Sequence, residues 1–186
     1  SGTPGTLEHM YNSDPVTYAH LKNGGSWAVR DDAWISYNRG GTTQLNGNLS
    51  AGYGASSTTV GPELQFGHAM ADAYGEKVLL IKTAWGGKSL YKDFRPPSSG
   101  DEVGPYYTQM VQEVRDALQS LVDVRYEIKG FVWMQGWNDM CTDEAIPEYA
   151  DNLINLAKDI RQEFEIPDLP IVIGELGNGG TAKPGS

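Results

Sequence analysis

The sequence lacks the residues that would place it in several large classes of protein. Cys141 is its only cysteine, so no disulfide can form within the chain, and no group of cysteines and histidines has the spacing of metal ligands. No apolar run approaches the ~20 residues of a membrane-spanning helix. Residues 1–5 hold neither a basic nor an apolar segment and are not a signal peptide, although a secreted protein without its leader would start the same way.

Positive charge is also scarce. The 14 Lys and Arg residues face 24 Asp and Glu residues, which gives a formal net charge of −10. An acidic surface repels phosphate groups, so we expect neither nucleic acid nor a membrane as a partner. Neither Gly-x-Gly-x-x-Gly nor Gly-x-x-x-x-Gly-Lys-Ser/Thr occurs in the chain, and we expect no cofactor and no metal.

What the sequence does contain predicts one domain over residues 1–186 with two unlike parts. A hydrophobic fraction of 39% in 186 residues is enough for one core. Residues 1–60 are rich in turn-forming residues, such as those at 46–48, and we expect a loop-rich segment there. Within it, residues 27–29 and 34–37 favour β-structure, and we expect them to form a small hairpin or an extended flap.

Residues 61–186 alternate regularly between helix and strand patterns. Continuous apolar runs are typical of strands buried on both faces of a parallel sheet, and apolar residues at helical spacing indicate the helices between them. This alternation predicts a three-layer α/β/α sandwich around a parallel sheet. The predicted strands are 78–81, 131–134 and 170–173, the predicted helices are 61–75, 104–122 and 147–164, and the apolar stripe of the first helix is Phe66, Ala69, Met70 and Ala73.

The loops after the three predicted strands contain the groups suited to chemistry. The carboxyl ends of parallel strands meet at one edge of a sheet, so we expect these loops, including the third at 174–180, to share one rim. Gly86 and Gly87 let backbone N–H groups approach a ligand closely, and Asn138 adds a side-chain amide donor. Two donors aimed at one point stabilise the oxyanion of acyl transfer. The alternative is structural: a tight turn at the glycines and a helix cap after the second strand.

Four segments of the chain, taken in order, match the sequence blocks of a known enzyme family. Residues 136–139 read Gly-Trp-Asn-Asp, which fits the pattern Gly-x-Asn-Asp, and the longer segments are residues 60–67, 84–90, 132–139 and 173–180. With these segments the chain resembles the sialate O-acetylesterase and carbohydrate esterase branch of the SGNH hydrolase superfamily. The resemblance implies a flavodoxin-like fold of the SGNH type, the deacetylation of sialic acid or polysaccharides, and a secreted or periplasmic protein.

The resemblance also implies roles for individual residues. The family acts through a serine nucleophile, a histidine base and an aspartate that orients the histidine. Gly87 and Asn138 correspond to its oxyanion-hole donors, and Gln135 lies where this branch keeps a polar residue at the site. Together with Gln135, the candidate substrate-binding residues are Trp85, Gly86 and Trp137.

Other residues near the predicted rim have two interpretations. The indoles of Trp85 and Trp137 either stack on a sugar ring or cover the end of the sheet, and the sequence favours neither. We expect Asp139 to cap the following helix, with a hydrogen bond beneath the site as the alternative. Glu175 is a candidate supporting carboxylate without an assigned role.

The chain departs from the family's pattern at the nucleophile and the base. The family's serine lies in a Gly-Gln-Ser-Asn segment that this chain does not contain, and Ser89 belongs to the second matching segment instead. The family's base follows the matched segments in an Asp-x-x-His block, whereas His9, His20 and His68 come early and lack that context. His68 falls within the first predicted helix, where it is as readily expected to face solvent.

Three explanations of this departure are open. The chain is an internal piece of a longer protein, a second polypeptide supplies the missing strand and helix, or the protein is a non-catalytic descendant that binds sugars. We favour the first, since the losses fall at the two ends, and since strands such as 78–81 would otherwise keep unpaired edges. The favoured function is a carbohydrate O-acetylesterase whose oxyanion-binding part lies in this chain. The alternative is a carbohydrate-binding pseudo-esterase, and a lipase-like substrate is disfavoured because no large apolar surface loop is evident.

Overall fold

The computed structural model describes residues 5–177 of the chain and divides it into two compact units, Ser1–Ala84 and Trp85–Ser186. Both units contain helices and strands, so the chain is of the mixed α/β class, and the single domain over residues 1–186 stays a prediction. Over the described range, no helix has both the length and the apolar character needed to cross a membrane.

The helices and strands are numbered in chain order. In the first unit they are α1 (Leu7–Ser13), β1 (Lys22–Asn23), β2 (Ser26–Trp27), β3 (Arg30–Arg39), β4 (Thr43–Leu49), α2 (Glu63–Tyr74) and β5 (Val78–Lys82). In the second unit they are α3 (Pro105–Gln119), β6 (Phe131–Trp133), α4 (Trp137–Met140), α5 (Tyr149–Glu163) and β7 (Ile171–Ile173). Short 3-10 turns lie at Ala19–Leu21, Pro97–Ser99 and Ile146–Glu148.

The first unit is built on a three-stranded sheet in the order β4-β3-β5. β3 pairs antiparallel with β4 and parallel with β5. The loop-rich description of residues 1–60 is therefore wrong for residues 30–49, although the run at 34–37 does lie in a strand. The predicted hairpin between residues 27–29 and 34–37 is also wrong, because β2 pairs with β1 instead.

β4 was not predicted because the residues at its centre are typical of a turn. Asn46, Gly47 and Asn48 are turn formers, yet all three are paired with residues of β3. Gly47 is required in the strand for space, since a Cβ there would lie 2.8 Å from the Tyr53 hydroxyl. A glycine within a strand often marks such a close approach.

Helix α2 packs on this sheet through a different face from the predicted one. Leu64, Gly67 and Ala71 are buried, whereas Phe66 is 36% exposed. A Cβ at Gly67 would collide with Leu49 and lie 2.8 Å from Leu80 Cδ1, so the helix backbone lies close against the sheet. The apolar stripe of Phe66, Ala69, Met70 and Ala73 was the wrong face because small residues allow this closer packing.

The second unit follows the sequence prediction more closely. β6 and β7 form a parallel pair, and α3 and α5 lie close to the predicted bounds. The core holds residues from both helices, from β6, from the loop after β5 and from the loop before β7: Leu90, Phe94, Tyr107, Met110, Val111, Trp133, Leu156, Ile160 and Leu169. The helices and strands predicted for residues 104–173 are therefore confirmed.

The described strands do not form one parallel sheet. The sheet of the first unit is mixed, the pair in the second unit is parallel, and the three-layer sandwich stays a prediction. Among residues 5–177, β5 has a partner strand on one edge, where it meets β3, and β6 has one in β7.

His68 lies in the interior of the first unit instead of facing solvent. Its side chain is 1% exposed, its Nδ1 lies 3.5 Å from Arg30 Nη1, and its ring centre lies 5.3 Å from that of His20. Its Nε2 has no hydrogen-bond partner among the described residues. Burial, and then the positive charge of Arg30, lower the pKa of His68 below its ordinary value of 6.5.

This lowered pKa predicts a loss of stability in mild acid. As pH falls below 6.5, the unfolded chain binds a proton at His68 before the folded chain does, so the free energy of unfolding decreases. Urea unfolding at several pH values between 7.5 and 5 measures this slope. His68→Gln should flatten it, while Asn12→Ala, at an exposed position of α1, should leave it in place. An unchanged slope in His68→Gln would show that another group causes the acid sensitivity.

Candidate functional site

The candidate site lies in the second unit, on the glycine turn after residue 85 and on the start of α4. Gly86 and Gly87 form an exposed turn, and Gly87 has a φ of +69°, which residues other than glycine rarely adopt. Gly136 precedes α4 with a φ of +152°, and a Cβ there would lie 2.9 Å from Leu176 Cδ1. Both loops therefore need glycine for their backbone geometry.

The buried side chain of Asp139 connects the loop before α4 to the segment that follows the glycine turn. Its side chain is 1% exposed, and its carboxylate accepts hydrogen bonds from the backbone N–H of Leu90 at 2.9 Å and of Tyr91 at 2.8 Å. A third bond comes from Gln135 Nε2 at 2.6 Å. The expectation that Asp139 caps a helix is wrong, because its carboxylate instead binds backbone groups of a loop 48 residues away in the chain.

These hydrogen bonds of Asp139 hold Asn138 against the glycine turn. Its Nδ2 donates to the carbonyl oxygen of Gly87 at 2.7 Å. The two residues predicted to share an oxyanion hole therefore lie next to each other. One amide hydrogen of Asn138 is used by that carbonyl, and the role of the pair in catalysis stays a prediction.

Both the nitrogen and the oxygen of the Gln135 side-chain amide have hydrogen-bond partners within the protein. Its Nε2 donates to Lys88 O at 2.9 Å as well as to Asp139, and the Tyr149 hydroxyl donates to Gln135 O at 2.7 Å and lies 3.3 Å from its Oε1. These contacts make Gln135 a positioning residue for the turn, and its predicted contact with substrate remains untested.

The two rim tryptophans differ in exposure. Trp85 packs against Phe94 and Tyr106, with ring centres 5.8 and 5.1 Å away, and belongs to the border of the core. Trp137 is 62% exposed at the start of α4. Packing therefore accounts for Trp85, whereas Trp137 presents a free aromatic surface of the kind that binds flat apolar ligands.

Ser89 is held in a turn with Asp93. Its hydroxyl and its backbone N–H both bond Asp93 Oδ2, at 3.0 and 2.8 Å. Burial opposes ionisation of Asp93, but the hydrogen bonds from Ser89 and the charge of Lys88 outweigh it and lower the pKa of this carboxyl. A carboxylate with a lowered pKa is a weak base, and the bonds that Ser89 and Asp93 make with each other close a turn.

No motif in the sequence predicted the residues that tie this region to the start of α5. Arg95 donates to Glu148 Oε2 at 2.9 Å and to the carbonyl oxygens of Tyr91 and Ser99. Together with Tyr149 it ties the segment after the glycine turn to the start of α5. Single arginines and tyrosines carry no motif, and only the structure reveals their partners.

Two predicted features add little to the site. Glu175 is exposed and keeps no assigned role, and the end of the third loop, residues 178–180, lies outside the described residues. In the part of the chain that the structure describes, no three carboxylate, histidine or cysteine side chains are grouped to hold a metal ion.

Comparison with known proteins assigns the chain to a family. The family model described as carbohydrate esterase, sialic acid-specific acetylesterase, matches residues 13–184. The chain belongs to this family. The resemblance seen in the four sequence segments is thereby confirmed, and the two loops of the site lie within the matched residues.

A relative and a solved structure agree with the assignment. A probable carbohydrate esterase of Arabidopsis thaliana is 26% identical over 124 residues, which are 65% of this chain and 44% of the relative. A crystal structure of the same plant protein matches with a TM-score of 0.60 at 20% identity, over 82% of this chain and 60% of that one. This chain therefore spans less than two thirds of the length of the relative.

The buried carboxylate of Asp139 predicts a large effect of one substitution. Asp139→Asn replaces an acceptor of three hydrogen bonds by an amide whose N–H₂ faces a donor. We expect the free energy of unfolding to fall by about 2 kcal/mol or more. Asp143→Asn, at an exposed position just after α4, is the matched control and should change it little. Equal effects of the two substitutions in urea unfolding would contradict the role given to Asp139.

Proposed function

We propose that this polypeptide forms the oxyanion-binding part of a serine esterase that removes acetyl groups from acetylated carbohydrates. The observation that carries the proposal is the position of Asn138 against Gly87, 2.7 Å from its carbonyl oxygen, in a member of a carbohydrate esterase family. The Asp139 joint supports it, because preorganised donors stabilise a developing charge without having to move.

In the proposed reaction a serine hydroxyl attacks the acetyl carbonyl and its proton passes to a histidine. A bond forms between the serine oxygen and the acetyl carbon, and the carbonyl oxygen becomes an oxyanion that Gly87 N–H and Asn138 stabilise. The sugar oxygen then leaves with the proton, and water hydrolyses the acetyl-serine to release acetate. An asparagine amide has two hydrogens, so Asn138 has one for the Gly87 carbonyl and one for the oxyanion.

The serine and the histidine lie, in this proposal, outside the 186 residues. Ser89 is bonded to Asp93, while His20 bonds Thr17 and Gln65 and His68 contacts Arg30, so neither of these imidazoles is set against a serine. The relative and its crystal structure are also longer, since this chain covers 44% and 60% of them.

We infer that the complete protein has the three-layer SGNH sandwich and that a further strand completes its sheet. Support comes from β5, which among the described residues is paired on one edge while carrying the apolar run 78–81. Unpaired edges of apolar strands favour association with another strand.

The oxyanion role is tested in the product of the full reading frame that contains these residues. Asn138→Ala should lower kcat for p-nitrophenyl acetate by about 100-fold to 1,000-fold, because one donor to the transition state is lost. KM should change little. Asn12→Ala, on the exposed side of α1, is the matched control and should behave like the unmodified protein.

Two results would contradict this proposal. The first is an unchanged kcat in Asn138→Ala. The second concerns the nucleophile: a serine-directed phosphonate, mapped by mass spectrometry, should label a serine outside residues 1–186. Labelling of Ser89 would show that the nucleophile lies within this chain.

Trp137 is the rim residue most available to a sugar ring. Trp137→Ala should raise KM for an acetylated polysaccharide by about tenfold through the loss of stacking, and leave the kinetics with p-nitrophenyl acetate unchanged. Tyr126→Ala removes an aromatic ring of similar exposure in the same unit and should affect neither substrate. A parallel loss with both substrates would indicate damage to the site and not a lost sugar contact.

A carbohydrate-binding pseudo-esterase is the second candidate. It is favoured by the partners of the described histidines and serine, because His20 bonds Gln65, His68 contacts Arg30 and Ser89 bonds Asp93. A folded full-length polypeptide that binds acetylated glycans and hydrolyses no ester would establish this candidate in place of the enzyme.

A further inference from the structure

The face of the β3–β4 hairpin that is turned away from the core carries an uncharged row of polar side chains and one tryptophan. Residues paired directly across an antiparallel ladder project to the same face. The pairs on this face are Trp34 with Asn48, Ser36 with Asn46, and Asn38 with Gln44. The alternate residues of β3, Ala33, Ile35 and Tyr37, are buried in the core of the first unit.

The side chains of this face, which we call the amide face, are accessible and partly ordered by one another. Trp34 is 47% exposed, and Gln44 and Asn46 are exposed. Gln44 Nε2 donates to Ser36 Oγ at 3.1 Å and to Asn46 Oδ1 at 3.0 Å. These bonds orient the two amides and leave Gln44 Oε1 as an acceptor and the Asn46 amide hydrogens as donors toward a ligand.

A cleft lies beside the amide face. Its volume is about 420 Å³, and it is lined by Arg39, by Gln44, Leu45 and Asn46 of β4, and by residues 50–53 and Ser57 of the following loop. The cleft is shallow and open to solvent, which suits a ligand that lies along the surface. The two amides of the amide face therefore also line this cleft, together with three residues that carry hydroxyl groups.

The charge of the cleft argues for a neutral ligand. Its charged lining residue is Arg39, whose guanidinium is already bonded to the carbonyl oxygens of Gly52 and Gly54. No side chain of the amide face is charged, in a chain whose net charge of −10 repels anions. Amides and hydroxyls that both donate and accept suit the hydroxyl groups of a sugar, and an exposed indole suits the apolar face of its ring.

We propose that the amide face and its cleft form a second binding surface, for a neutral oligosaccharide. Trp34 stacks on one sugar ring, and Gln44 and Asn46 bond the hydroxyl groups of the neighbouring ring. This inference rests on the proposed function for the class of ligand, because an enzyme that deacetylates a polymer gains from holding the chain away from the reacting ester.

Binding without hydrolysis tests the proposal. Isothermal titration calorimetry of the full-length polypeptide with unacetylated xylohexaose, cellohexaose and mannohexaose should show binding of at least one, and 3′-sialyllactose should not bind more tightly. Trp34→Ala should weaken that binding about tenfold. Tyr74→Ala, which removes a ring of similar exposure from α2 in the same unit, should leave it unchanged.

A second variant covers the case in which Trp34→Ala fails to fold. Asn46→Asp keeps the size of the side chain but exchanges its donors for a negative charge, and it should weaken binding by a similar factor. Binding of none of the three hexaoses, tighter binding of sialyllactose, or equal binding by both variants and the unmodified protein would each overturn the proposal. Because no ester is present, binding in a protein that lacks esterase activity supports the amide face and separates it from the proposed catalysis.

Discussion

The buried carboxylate of Asp139 is the interaction on which the candidate site depends. A charge removed from water is tolerated when hydrogen bonds replace its hydration, and here the backbone N–H groups of Leu90 and Tyr91 and the amide of Gln135 do so. Because two of these donors belong to the segment after the glycine turn, the carboxylate fixes that segment against the start of α4. The positions of Gly87 and Asn138 relative to each other follow from this joint.

Two adjacent residues of α4 have different roles, since Asp139 is structural and Asn138 is the proposed donor to the oxyanion. Asp139 points into the interior, and Asn138, one residue earlier, reaches the exposed glycine turn. A helix turns by about 100° per residue, so neighbouring side chains point in different directions from one short helix. The Gly-x-Asn-Asp sequence thus places a buried anchor and an exposed donor at one point of the fold.

The sequence predicted the regular half of the chain well, because its helices and strands have strong and uninterrupted patterns. The apolar run at 78–81 lies in β5, the first three residues of the run at 131–134 form β6, and α3 and α5 fall close to their predicted bounds. The prediction was wrong where packing, and not hydrophobicity, decides. Gly67 brings α2 against the sheet and turns Phe66 outward, and Gly47 continues a strand where its neighbours suggest a turn.

The site was predictable in part for a similar reason. Gly87 and Asn138 belong to loops with recognisable sequence, and the rule that parallel strand ends meet at one edge predicted that they would be close. They are close, although the strands before them, β5 and β6, belong to separate sheets among the described residues. The partners of Asp139, Gln135 and Trp85 were not predictable. For each of these residues the sequence suggested another role, such as capping a helix or stacking on a sugar ring. In the structure each side chain instead contacts residues that are distant in the chain.

The most direct test of the account is a crystal structure of the full-length polypeptide after reaction with an acetyl-mimicking phosphonate. The phosphonyl oxygen should lie about 2.7–3.1 Å from both Gly87 N and Asn138 Nδ2. Asp139 should keep its bonds to Leu90 and Tyr91. A phosphonyl oxygen bound by other donors, with Asn138 still directed only to the Gly87 carbonyl, would contradict the account.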